Sequence, residues 1–93
     1  MSAFKHFMEA YWHQHWEEFY KDIADAGKDF YETEGQRRSI DLRNEIYAMI
    51  GEGYFKNYEE YDKKFIKSYK YSSLVSKKEA EELFLVLCRM TGG

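Results

Sequence analysis

Residues 76–92 read SKKEAEELFLVLCRMTG and carry the clearest helix signals in the chain. Ser76 and Glu79 have the spacing of a capping box, in which the serine hydroxyl accepts from the fourth residue's amide and that residue's carboxylate reaches back. Gly92 supplies a stop signal at the other end. The stretch therefore predicts a helix over 77–91.

The second half of this helix is apolar on nearly all sides, because Leu85 and Val86 point away from the face that the other apolar residues share. A helix of that kind is central in a bundle or contacts a second chain. Cys88, the one cysteine, is interpreted as a plain core residue, since free cysteine is often buried. The shared apolar face comprises Ala80, Leu83, Phe84, Leu87 and Cys88.

Three further helices are predicted upstream, from apolar residues at three- and four-residue spacing. The first covers 2–33, or ends near residue 25; the second covers 37–51; the third, which begins with an Asn57 cap, covers 57–71. Proline is absent, which also favours helices. We therefore expect a single all-α domain spanning all 93 residues, built as a compact bundle of four helices.

The composition is that of a soluble globular chain, with 44% hydrophobic and 33% charged residues. No apolar run approaches the roughly 18 residues that a membrane-spanning helix needs. Glu9 interrupts the N-terminal stretch before a signal-peptide core could form, and one cysteine cannot form an internal disulfide. We expect a cytoplasmic protein that does not bind membranes.

The motifs of common enzyme classes are missing from the sequence. It holds no GxxxxGK[ST] phosphate-binding loop and no nucleophile elbow. His6, Glu9, His13 and Glu17 line one flank of the first helix but spread over about 16 Å along its axis, too far to converge on one metal ion. We therefore expect a solvated polar flank, no metal, no cofactor and no enzymatic activity.

Two polar residues fall among apolar ones and are interpreted as structural. His15 lies in the middle of the apolar arc of the first helix, where a core or interface histidine would hold a hydrogen bond. Asp62 lies between Tyr58 and Ile66, and its carboxylate needs a tyrosine hydroxyl, an arginine or His15 as a partner.

The first helix offers more aromatic surface than its own bundle needs. Its apolar residues cover an arc of about 220°, whereas a surface helix buries roughly 100°. One side is therefore expected to face the core and the other a partner. Because tryptophan and tyrosine dominate binding hot spots, the anchors predicted are Tyr11, Trp12, Trp16 and Tyr20.

A row of acids accompanies these rings, at spacings of four, three, four and three residues. Like charges at these spacings destabilise a helix by about 0.2 to 0.5 kcal/mol per pair, so helix stability alone does not explain the row of acids. If the helix continues through Gly27, the row forms one stripe with charges about 4.5 to 6 Å apart, which could imitate nucleic-acid phosphates toward a basic groove. The plainer alternative, which we favour, is a helix broken at Gly27 with scattered loop acids. The row comprises Glu18, Asp22, Asp25, Asp29 and Glu32.

Charge is segregated along the chain: residues 1–55 carry −5, residues 56–78 carry +4 and residues 79–93 carry −2. In the positive segment four lysines share one face of the third helix, which suggests nucleic-acid binding. However, the rings of that helix lie on its opposite face and the pI is 5.6, so a solvated face is favoured. The lysines are Lys63, Lys64, Lys67 and Lys70.

In size, aromatic richness and acidic balance the chain resembles the small inhibitors that phages encode against bacterial defence nucleases, anti-CRISPR proteins among them, and more loosely the bacteriocin-immunity bundles. The resemblance covers composition and carries over no functional residues. With the surplus ring and carboxylate surface, it leads us to expect a non-enzymatic protein that inhibits or regulates a larger protein partner, for example a nucleic-acid-binding enzyme. The alternatives are a nucleic-acid-binding regulator, a bacteriocin-immunity-like bundle, and a homo-oligomer joined through Leu85, Val86 and the spare aromatic residues.

Overall fold

The computed structural model describes residues 2–13, 15–53 and 75–93. Four α-helices account for most of these residues. No β-strand occurs in these ranges, and the predicted all-α bundle is confirmed. The predicted third helix over 57–71 lies outside the described residues, as do Asp62 and the four lysines. The helices are α1 (Ser2–Ala10), α2 (Ile23–Glu34), α3 (Gln36–Gly51) and α4 (Lys77–Thr91), with a short 3-10 helix at Trp16–Glu18.

The predicted bounds of α3 and α4 agree with the structure to within one residue. The capping box of α4 is formed, because the Glu79 amide donates to Ser76 Oγ and the Ser76 amide donates to Glu79 Oε1, each at 3.1 Å. Gly92 ends the helix with a left-handed backbone, φ 79°. None of the helices in the described ranges is long and apolar enough to cross a bilayer.

The prediction of one continuous first helix is wrong, because α1 ends at Ala10 and α2 begins only at Ile23. The amides of Tyr11 and Trp12 both donate to the Phe7 carbonyl at 2.9 Å, which closes α1 without a glycine. Asp22 then starts α2: its backbone is extended, and its carboxylate accepts from the Asp25 amide at 2.9 Å.

Gly27 lies inside α2 and does not break it, so the alternative of a helix ending there is also wrong. A Cβ at this position would lie 2.8 Å from Leu83 Cδ1 and 2.9 Å from Val86 Cγ1. Glycine therefore lets α2 and α4 approach closely. Val86, which lies outside the apolar face that the other residues of α4 share, is buried against α2.

The core is one cluster to which all four helices contribute, with α3 and α2 packed on α4, and α1 and α2 packed on α3. The N-terminus of α1 is held by a distant residue, since Glu45 of α3 accepts from the amides of Ala3 at 3.2 Å and Phe4 at 3.1 Å. Two backbone amides of the first turn, which have no acceptor within the helix, thereby form hydrogen bonds. The largest fully buried side chains are Trp12, Phe4, Phe7, Phe30, Met8, Ile23, Leu42, Ile46, Met49, Leu83 and Leu87.

Candidate protein-docking surface

The four predicted aromatic anchors mostly serve the core. Trp12 is fully buried and Tyr11 nearly so, so neither can act as a surface anchor in this fold. Trp16 and Tyr20 are half-buried and pack against the core. The Trp12 and Trp16 rings stack with centroids 4.0 Å apart and planes 17° from parallel. The break after Ala10 explains the difference, because it turns residues that a continuous helix would expose toward the core.

Tyr20 joins the segment between α1 and α2 to the side of α2. Its hydroxyl donates to Asp29 Oδ2 at 2.6 Å, while Asp29 Oδ1 accepts from Thr33 at 3.2 Å. Burial, followed by the hydrogen bond and the charge of Asp29, raises the pKa of Tyr20. Tyr20 therefore stays protonated at neutral pH and holds the segment in place.

Three acids of the predicted row have partners within the fold. Asp22 caps α2, Asp25 Oδ2 accepts from the Lys21 amide at 3.3 Å, and Asp29 binds Tyr20. Carboxylates at a helix N-terminus also interact favourably with the helix dipole. Folding thus accounts for acids that the sequence analysis assigned to an outside partner.

The unbroken stripe from Glu18 to Glu32 is wrong. Glu18 belongs to the short 3-10 helix and not to α2. At 100° per residue, Asp25, Asp29 and Glu32 lie within about 60° on one face of α2, and Lys28 flanks that face about 40° beyond Glu32. The part that remains is an acidic face of α2 with Glu17 and Glu18 exposed in the preceding segment.

Phe19 is the surface residue that sequence reasoning missed. Its side chain is 64% exposed, and it is not among the four predicted anchors. Its amide donates to the Trp16 carbonyl at 2.9 Å, and its ring contacts His13 edge-on, with centroids 5.8 Å apart. The ring also contacts that of Tyr20. Phe19 is thus an exposed aromatic residue on a backbone held by hydrogen bonds.

We call the exposed acids and this ring the acidic docking surface. Tyr20 unites its two parts, because it contacts Phe19 with its ring and Asp29 of α2 with its hydroxyl. Residues 15–34 carry seven acidic and two basic side chains, a net −5 against −3 for the whole chain. The acidic docking surface comprises Glu17, Glu18, Phe19, Asp25 and Glu32.

A second polar cluster, centred on Glu34, lies between α1 and α2. Glu34 Oε2 accepts from the Tyr11 hydroxyl at 2.7 Å and lies 3.1 Å from His6 Nε2. The Tyr11 hydrogen bond first, and then His6, hold the pKa of Glu34 below its usual value. Burial first, and then Glu34, raise the pKa of Tyr11 to about 12. The cluster ties two helices together.

The remaining polar residues differ in part from expectation. His6 contacts Glu34 and is not a purely solvated flank residue, while Glu9 lies 3.9 Å from Lys5 Nζ. His15 is exposed and so not a core histidine; its amide donates to His13 Nδ1 at 3.1 Å.

Cys88 is half-buried rather than a full core residue. In the described part of the chain, no group of three or more histidine, cysteine, aspartate or glutamate side chains could hold a metal ion.

No protein-family model, curated protein or solved structure matches the chain.

Proposed function

We propose that this chain is a non-enzymatic binding protein that inhibits or regulates a larger protein, and that it docks through the acidic docking surface onto a basic groove. The observation that carries the proposal is the position of Phe19, an exposed ring beside an acidic helix face. Aromatic residues are enriched in protein interfaces.

The charge distribution supports a basic partner. Five of the negative charges in residues 15–34 are uncompensated in sequence, and Glu17, Glu18, Asp25 and Glu32 are all exposed. Such a field steers association with a positively charged surface and disfavours acidic partners. Basic grooves are typical of proteins that bind nucleic-acid backbones, so the partner class we propose is a nucleic-acid-binding enzyme or complex whose groove this surface occupies.

The backbone that carries Phe19 and the neighbouring docking residues has little conformational freedom. The Tyr20–Asp29 hydrogen bond and the bonds from the Phe19 and Tyr20 amides to the Trp16 carbonyl fix the segment before α2. A surface that is already ordered loses less entropy on binding. Phe19 is therefore the expected hot spot, and the carboxylates mainly affect the association rate.

The test uses the full chain to capture its partner from lysate of the organism that encodes it, followed by affinity measurements with the purified partner. Glu18→Lys with Glu32→Lys, and separately Phe19→Ser, should each weaken binding by at least about tenfold. Asp22, Asp25 and Asp29 are left intact because they have structural partners. Unchanged affinity in both variants would reject the docking surface.

A matched control separates local from overall charge. Asp41→Lys with Glu81→Lys reverses two other exposed acids and also brings the net charge from −3 to +1. It should leave binding unchanged, and equal loss in both double variants would mean that only net charge matters. Single-stranded or double-stranded nucleic acid should displace the chain from its partner; a partner that binds both at once contradicts the groove.

A further inference from the structure

The outward face of α4 carries a large exposed apolar residue at its centre. Leu85 is 60% exposed and lies on the side of α4 opposite the core residues Leu83 and Leu87. Tyr47 of α3 is 67% exposed and contacts the ring of Phe84, with centroids 5.6 Å apart. An apolar strip therefore runs from Leu85 to the groove between α3 and α4.

Two opposite charges flank Leu85 on its other side. At 100° per residue, Glu82 and Arg89 stand about 60° and 40° from Leu85 in the same direction. In the opposite direction stand exposed Glu81 at about 40°, Cys88 at about 60° and Phe84 at about 100°. Glu82 and Arg89 are both exposed, and neither forms an ion pair within the described residues. They are about 10.5 Å apart along the axis, too far to pair with each other.

This arrangement is complementary to itself. Suppose that two α4 helices meet antiparallel about a two-fold axis that passes between their Leu85 residues. A residue that precedes Leu85 in one copy is then level with the residue that follows Leu85 by the same number of positions in the second copy. Glu82 is three residues before Leu85 and Arg89 four residues after it, so Glu82 comes level with Arg89 of the second copy to within about 1.5 Å. The same symmetry brings the two aromatic edges together on the opposite side.

From this charge complementarity we infer that α4 is a homodimer interface, in which Leu85 packs on Leu85 of the second copy and two Glu82–Arg89 pairs close one edge. The inference is independent of the proposed function. None of the residues that pair the two α4 helices belongs to the acidic docking surface.

Cysteine cross-linking tests the geometry. In a Cys88→Ser background, Leu85→Cys places two thiols at the two-fold axis, where helices 8 to 10 Å apart bring the Cα atoms within about 6 Å, as a disulfide requires. A mild oxidant should therefore produce a covalent dimer. In the wild-type chain the two Cys88 residues are about 9 Å apart along the axis and should not cross-link. Cross-linking of the wild-type chain through Cys88, or no cross-linking of the Leu85→Cys variant, overturns the antiparallel pairing.

Charge exchange tests the ion pairs, with the dissociation constant measured by sedimentation. Glu82→Arg and Arg89→Glu should each raise the dissociation constant of the dimer about tenfold. The double variant should restore the dissociation constant to within about threefold of the wild-type value. Asp41→Arg is the control for charge alone.

Leu85→Glu should abolish the dimer while Phe19→Glu leaves it intact, with circular dichroism reporting that both variants fold. A wild-type chain that is monomeric at every concentration up to the millimolar range overturns the inference, as does a double variant no better than the singles.

Discussion

Tyr11 donates a 2.7 Å hydrogen bond to Glu34 Oε2 and so fixes the end of α1 to the last turn of α2. The same oxygen lies 3.1 Å from His6 Nε2. The Glu34 carboxylate is thus contacted by two side chains of the N-terminal segment, Tyr11 and His6, each more than twenty residues away in sequence. The bond is partly buried, where a hydrogen bond to a charged group is stronger than in water.

Replacing Glu34 by Gln should destabilise the protein in a pH-dependent way. The pKa of Glu34 is lowered in the fold, so its stabilisation is present above the unfolded pKa and is lost as the pH falls through the folded one. We expect a loss of about 1 kcal/mol at pH 7 that shrinks below about pH 4. Urea unfolding at pH 7 and pH 3 measures it. An equal loss at both values would mean that the carboxylate charge has no part.

Replacing Tyr11 by Phe should show the opposite dependence on pH. Because the pKa of Tyr11 is raised to about 12, its contribution is present below its ordinary value near 10 and is lost as the pH rises through the folded pKa. We expect a loss of about 1 kcal/mol at pH 8, with the two proteins converging toward pH 12. Unfolding curves between these values measure it, and a constant difference would contradict the assignment.

Gly27→Ala should destabilise the bundle although alanine is the better helix former. The new Cβ would press on Val86, a buried residue with a stiff side chain, and on Leu83. Overpacking of this kind costs about 1 to 3 kcal/mol, which exceeds the gain of about 1 kcal/mol in helix propensity. Gly51→Ala is the control, because nothing lies within 4 Å of its Cβ position, and it should not destabilise. Thermal unfolding of both variants decides whether close helix contact explains Gly27.

Glu45→Ala should loosen α1 selectively. It removes the acceptor for the amides of Ala3 and Phe4, and the loss of a cap costs about 1 kcal/mol. Amide hydrogen exchange should quicken in α1 before α3 or α4. Glu45→Gln keeps one acceptor oxygen and should lie between the two, whereas uniform acceleration across the helices would contradict a local cap.

The sequence predicted α4 well because its ends depend on local chemistry. Ser76 and Glu79 cap α4 through neighbouring residues, and Gly92 ends it with a conformation that glycine readily adopts. The start of α2 had a local signal too, since Asp22 is followed three residues later by Asp25, but the stronger apolar periodicity concealed it.

The break after Ala10 could not be read from composition. No proline or glycine lies between Ala10 and Asp22, and Trp12, two residues after the end of α1, is buried in a core built from distant residues. In the fold Trp12, a predicted anchor, is buried, and Phe19, which was not predicted as one, is exposed. The candidate surface therefore keeps three acids of the predicted row, gains Glu17 and takes Phe19 as its aromatic residue. The three acids kept are Glu18, Asp25 and Glu32.

The stacked Trp12 and Trp16 rings are the two tryptophans of the chain, so its indole emission comes from one pair of neighbouring chromophores. The Phe19 amide is bonded to the Trp16 carbonyl, which links this pair directly to the exposed ring. A ligand that presses on Phe19 would change the fluorescence and near-ultraviolet dichroism of the native molecule. The protein thus contains a built-in optical probe, and titrations on it need no attached dye.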